Sequence, residues 1–154
     1  MALSKLDNLY RQVILDHSHH PHHHGQLLEG ETVDMNNPTC GDVIRLTLQL
    51  EGDQIRDIAF TGSGCSISVA SASMMTDAVI GKSIETALEL ATIFSEMVQG
   101  KVDERQDELG DGAFLSGVAK FPQRIKCSTL AWHALEKALD NRSGHAELAN
   151  LSGH

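Results

Sequence analysis

The residues of this sequence best equipped for chemistry are three cysteines, Cys40, Cys65 and Cys127, and one aspartate, Asp42. Cys40 lies in Asn36-Asn37-Pro38-Thr39-Cys40-Gly41-Asp42, a loop-forming run just ahead of an alternating apolar stretch. Cys65 closes Thr61-Gly62-Ser63-Gly64-Cys65, and Cys127 ends Phe121-Pro122-Gln123-Arg124-Ile125-Lys126-Cys127. Each thiol is therefore expected at a junction between elements, where side chains from different parts of the chain can converge. A helix N-terminus favours a thiol's anionic form. This applies first to Cys65 and then to Cys127, beside which Arg124 and Lys126 add positive charge. Asp42 supplies a hard oxygen, and if it opens a strand, the period of two turns it to the same side as Cys40. Three thiolates and a carboxylate satisfy the tetrahedral preference of zinc. Thiolates are equally the usual ligands of iron clusters. No Cys-x-x-Cys pair is present, so spacing alone also allows three unrelated buried thiols.

A second feature is a histidine tract: His17, His19, His20, His22, His23 and His24 surround Pro21. Such a run binds divalent metals in vitro whatever its purpose. It reads either as a solvated loop or as a metal-storage or delivery element, and its interior position argues against an expression tag. Gly62-Ser63-Gly64-Cys65-Ser66-Ile67 begins like a dinucleotide fingerprint. Ile67, however, stands where the third glycine belongs, and the run follows a hairpin strand. Its glycines instead permit a tight turn that brings Cys65 to the surface. His-Glu-x-x-His, the Pro-Cys-x-x-Cys of zinc deaminases and Gly-x-Ser-x-Gly do not occur. Trp132, Met74 and Met75 read as packing residues, and His133 as a surface residue.

Elements must hold these residues in place. Leu3, Leu6, Leu9, Tyr10, Val13 and Ile14 recur at helical spacing, predicting an amphipathic helix that ends before Pro21. Between Val43 and Leu50 the pattern becomes strict alternation, with Ile44, Leu46, Leu48 and Leu50 on one side, a half-buried strand. Glu51-Gly52-Asp53 is a turn and Gln54 to Thr61 the hairpin partner. A shorter strand around Thr32–Met35 completes a small sheet. Ile67 to Ile80 reads as a helix closed by Gly81, and Ser83 caps another that stops at Gly100. Lys101–Gly112 is charged and turn-rich and reads as a loop or short exposed turn. Pro122 opens a last helix reaching about Leu139.

The chain has 154 residues, 41% hydrophobic and 21% charged. That suits one domain, able to bury about two-thirds of its unfolded surface without disulfides. An odd cysteine number points the same way. With 12 Lys+Arg against 21 Asp+Glu the formal charge is −9 and the pI about 5.3. A basic stripe able to follow phosphates is missing, so no nucleic acid is expected as a partner. No apolar run approaches the roughly 20 residues needed to span a bilayer, and Met1 to Asp7 lacks a signal-peptide layout. A cytoplasmic protein without membrane contact is the expectation. Strands first and helices after predict an α+β fold, a small antiparallel three-stranded sheet with helices packed on one face. Residues 1–140 form the single domain and 141–154 a flexible polar tail.

The motifs together resemble the U-type proteins of iron–sulfur cluster biogenesis, the IscU/NifU family, and most closely its SufU branch. The resemblance covers roughly residues 3–140. It rests on Leu9-Tyr10-Arg11-Gln12-Val13-Ile14, Asn37-Pro38-Thr39-Cys40-Gly41-Asp42, Gly62-Ser63-Gly64-Cys65-Ser66-Ile67-Ser68 with Ala70-Ser71, and Phe121 to Trp132. It implies a SufE/NifU-like fold with Cys40, Asp42, Cys65 and Cys127 clustered at one end as metal ligands. Scaffold-type members carry a histidine directly before the third cysteine, where this chain has Lys126, and a Leu-Pro-Pro-Val-Lys motif, which is absent. The stretch Lys101–Phe121 resembles the insertion of the SufU branch. The implied function is that of a Zn2+-binding sulfur acceptor that takes persulfide sulfur from a PLP-dependent cysteine desulfurase and feeds downstream iron–sulfur assembly or acceptor proteins. It is a sulfurtransferase-like accessory partner rather than an independent enzyme. Cys40 is the implied acceptor, released from the metal when a desulfurase histidine takes a zinc position. Arg124 positions the partner or stabilises thiolates, or is a solvated surface residue. The alternative within the family is a scaffold for a transient iron or [2Fe–2S] cluster on the same four residues.

Overall fold

Three strands, β1 (Glu31–Asn37), β2 (Asp42–Glu51) and β3 (Gln54–Ser63), form one antiparallel sheet in that order. The computed structural model describes residues 2–28, 30–37, 41–101 and 104–151. Alternation in β2 decides which face is covered: Ile44, Leu46 and Leu48 are fully buried, whereas Val43 and Arg45 are exposed. Thr47 departs from that alternation, being buried on the opposite side. A two-residue turn joins β2 to β3, with Gly52 at φ 65°, a left-handed conformation that glycine adopts without penalty. The pairing register slips between Gln49 and Leu50. The extra residue, Arg56, lets Ile55, Ile58 and Phe60 all reach the core although their spacing is not a strict two.

Four helices accompany the sheet: α1 (Ala2–His19), α2 (Ser66–Val79), α3 (Ile84–Met97) and α4 (Pro122–Leu151). α2 lies at the centre, with ten of its 14 residues buried. Its Ala-, Ser- and Met-rich sequence suits that place, because small side chains let neighbours approach on several sides. Its buried hydroxyls find backbone partners, as such groups must: Ser71 donates to the carbonyl of Ser128, and Thr76 to that of Ser73. The Ser83 hydroxyl caps α3, accepting from the Thr86 N–H at 3.1 Å. Phe94 of α3 stacks on Trp132 of α4 with ring centroids 4.7 Å apart. Met74, Met75 and Trp132 are thus core, and His133 is exposed beside Glu136.

Three expectations from the sequence need correction. Lys101–Gly112 is not an exposed turn, because from Glu104 to Lys120 the chain winds in 310 turns broken at Gly110, and buries Leu109, Leu115 and Val118. The last helix does not end near Leu139, since its backbone stays helical to Leu151. The histidine tract is a solvated loop only in part: His19, His20, His22, His23 and His24 are exposed, but its first member is not. His17 is 3% exposed, and the following segment lies along β3, where the Phe60 N–H donates to the His23 carbonyl and the Gly25 N–H to that of Phe60. No helix among the described residues is long and apolar enough to cross a membrane.

Candidate metal centre

Asp42 is the first residue of β2 and Cys65 the residue that opens α2, so the strand end and the helix start meet. What brings them into contact is Gly64. A Cβ there would collide with the Asp42 carboxylate, so only glycine lets the chain pass. The Asp42 side chain is 1% exposed, and both of its oxygens are engaged. Oδ1 accepts from the Cys65 backbone N–H at 2.9 Å and Oδ2 from the Ser68 hydroxyl at 2.7 Å. A carboxylate held against the first N–H groups of a helix is favoured by their exposed partial positive charge.

Cys65 has no side-chain capping bond of its own. Its Sγ lies 3.9 Å from Asp42 Oδ2 and 3.6 Å from Ser68 Oγ. Cys127 comes from α4, in the second turn after Pro122, and is completely buried. This corrects the expectation that all three thiols stand at element junctions. At that depth in the helix the dipole has fallen off and contributes little to the Cys127 thiol. Ser68 ties the two helices together, its Oγ also lying 3.2 Å from the Cys127 carbonyl. Arg124 is exposed, one turn before Cys127 on the same helix. Cys40, the fourth expected ligand and the expected acceptor, lies outside the described residues. It is joined to Asp42 through Gly41, whose φ of 75° bends the chain as it enters β2.

Asp42, Cys65 and Cys127 offer one carboxylate oxygen and two sulfurs that all lie within 4.8 Å of one another. This donor set suits zinc, which takes thiolate sulfur and carboxylate oxygen tetrahedrally. Its soft sulfurs suit iron as well. Ser68 is the residue that the sequence reading assigned no role, although its place three residues after the helix-opening Cys65 is a capping-turn position. An open groove of about 460 Å³ takes in Ile67, two residues after Cys65, and is lined also by Ile14, Leu15, Phe114, Val118 and Phe121, together with Arg11 and Lys120. Away from the site, a hydrogen bond from Arg45 holds the Asp34 carboxyl below its ordinary range, and one from Arg105 does the same for Glu108.

Residues 9–128, a span that includes Asp42, Cys65 and Cys127, match the family model described as the NifU-like N-terminal domain. The chain belongs to the NifU-like family. A Streptococcus pyogenes relative named iron–sulfur cluster assembly scaffold protein IscU is 65% identical over 96% of this chain and 92% of its own. A Bacillus subtilis relative named zinc-dependent sulfurtransferase SufU is 57% identical over 92% of this chain and 96% of its own. Among solved NifU-like folds, an iron–sulfur cluster assembly scaffold protein for the SUF system from Fervidobacterium islandicum superposes with a TM-score of 0.79 at 35% identity, covering 83% of this chain and 94% of that one. The α+β expectation and the family resemblance read from the motifs both hold.

Proposed function

We propose that this NifU-like protein is a cytoplasmic, zinc-binding sulfur acceptor that takes persulfide sulfur from a PLP-dependent cysteine desulfurase and feeds iron–sulfur cluster assembly. The observation that carries this reading is the meeting of Asp42, Cys65 and Cys127 from three separate elements, their donor atoms within 4.8 Å, two residues along the chain from Cys40. Cys40, Asp42, Cys65 and Cys127 would hold the metal. Bound zinc keeps such thiols deprotonated at neutral pH. The relative named zinc-dependent sulfurtransferase, at 57% identity, supports the choice of metal and chemistry.

The transfer is a thiol exchange. The Cys40 thiolate attacks the outer sulfur of the desulfurase persulfide, and a new S–S bond forms on Cys40. The desulfurase S–S bond breaks, its electron pair leaving with the inner sulfur as a thiolate, and nothing is oxidised or reduced overall. Asp42, fixed by Cys65 and Ser68, keeps the site's geometry while Cys40 reacts. The groove beside the first turn of α2, apolar with Arg11 and Lys120 in its lining, supports docking of a partner protein at that end of the helix. The exposure of Arg124 supports a contact with that partner.

A second reading within the family is a scaffold for a [2Fe–2S] cluster on the same residues, favoured by the name of the relative at 65% identity. One experiment separates them. The protein, purified without tag or chelator, is mixed with a cysteine desulfurase, cysteine and a reductant. Sulfide release is then followed alongside mass spectrometry of the Cys40 peptide. A sulfur acceptor accelerates release, gains one sulfur atom on Cys40 and loses the acceleration in Cys40→Ala. Full acceleration by Cys40→Ala overturns the proposal, and a coloured protein with stoichiometric iron and acid-labile sulfide selects the scaffold.

A further inference from the structure

The histidine tract lies outside the Asp42, Cys65 and Cys127 cluster, and two of its side chains, His17 and His22, are held by partners on α2 and in the 310 segment. His17, at the end of α1, is buried and bonded at both ring nitrogens: Nδ1 meets Ser73 Oγ at 2.7 Å and Nε2 meets Asp111 Oδ2 at 2.8 Å. The backbone N–H of His22 donates to that same Ser73 oxygen at 2.7 Å, which fixes where the second ring sits. The His17 and His22 rings lie 4.6 Å apart between centroids, and His22 Nδ1 is in close contact with Asp77 Oδ2. His17, His22 and Asp77 thus offer two nitrogens and a carboxylate oxygen within 4.8 Å of one another.

We propose that these three residues form a second metal site, taking a borderline divalent cation such as Zn2+. Imidazole and carboxylate are the ligands such cations accept. Donors around tetrahedral zinc stand about 3.3 Å apart, given Zn–N bonds of about 2.0 Å, so the widest pair, within 4.8 Å, closes by up to about 1.5 Å while His22 and Asp77 move apart. The means are present: the His22 and Asp77 side chains are 51% and 39% exposed and can rotate. The contact between them is the one the cation opens as it enters from solvent. His17 supplies the rigid wall. Its bond to Asp111 is the arrangement in which a carboxylate orients a metal-bound imidazole and strengthens it as a ligand, leaving Nδ1 as the nitrogen assigned to the metal. With Asp77 and Asp111 both carboxylates, a dication is also favoured electrostatically. At 1.5 Å rise per residue, Asp77 stands about 18 Å along α2 from Cys65, so the two sites are separate. Occupied, the second one fastens the end of α1 and the tract to α2.

The test is zinc stoichiometry by equilibrium dialysis and elemental analysis of the untagged full chain. The parent is expected to bind about two zinc ions per chain, and His22→Ala with Asp77→Asn about one. Cys65→Ser with Cys127→Ser keeps the histidine-site zinc, and zinc still raises the Tm of that variant until His22→Ala is added. His19 and His20 are exposed and outside the cluster, so His19→Ala with His20→Ala should leave the stoichiometry unchanged. Three results overturn the proposal: a parent that binds zinc only through its thiols, unchanged stoichiometry in His22→Ala/Asp77→Asn, or loss of the second zinc with His19 and His20. None of these readouts depends on sulfur transfer, so this site and the acceptor function stand or fall separately.

Discussion

The Ser68 hydroxyl has one proton and two acceptors within reach, Asp42 Oδ2 at 2.7 Å and the Cys127 carbonyl at 3.2 Å. The shorter contact, to a carboxylate, is the stronger. Ser68 therefore orients the Asp42 carboxylate while bracing the helix that carries Cys127. In Ser68→Ala we expect a loss of about 1 kcal/mol in stability, but a zinc affinity weaker by about 10–100-fold, measured by competition with a chromophoric chelator. Unchanged affinity would show that Asp42 needs no such support. Asp42, Cys65 and Cys127 were legible in the sequence because thiol and carboxylate have few alternative uses beside turn-forming glycines. Ser68 was not. A serine in the first turn of a helix reads as a capping or solvent-facing residue until another helix is seen packed over it. His17 was hidden for the same reason, since its partners Ser73 and Asp111 are 56 and 94 residues away in the chain.

Among the elements, strands and long helices were readable because their periods of 2.0 and 3.6 are those a sequence reading looks for. The 310 segment escaped because its buried residues, Leu109, Gly112, Leu115 and Val118, recur every three positions, the period of the tighter helix. Two intervening glycines and a high charge content added to the resemblance to a loop. Arg105 binds this segment to α3, bonding both Glu108 and Glu89. The depressed Glu108 carboxyl makes its own pairing with Arg105, inside the segment, contribute above the ordinary glutamate range and fade as pH falls through its lowered value. If the segment is core, Leu115→Ala should cost about 2–5 kcal/mol, as for other buried leucines, read as a lower urea midpoint at constant slope. A change within about 0.5 kcal/mol, typical of surface positions, would mean that the segment lies on the body without supporting it.

For the whole molecule, a cation at Asp42, Cys65 and Cys127 would link the end of β2 to α2 and α4, so its binding would also be folding energy. A free ligand at about 1,000 times its Kd adds about 4 kcal/mol. At about 2–4 °C per kcal/mol for a domain of this size, stripping the zinc with a chelator should lower Tm by about 8–16 °C, measured by calorimetry or dichroism. A fall of about 1 °C or less would argue against any tightly held metal. The enclosure of α2 has a further consequence in time. A ribosome releases the chain from its N-terminus, so Asp42 and Cys65 emerge and can meet while Cys127 and the helix that roofs α2 are still unmade. A metal that needs Cys127 as a ligand would then be taken up by finished protein and not by the growing chain. Throughout synthesis, the exposed early thiols depend on the reducing power of their surroundings to reach that point intact.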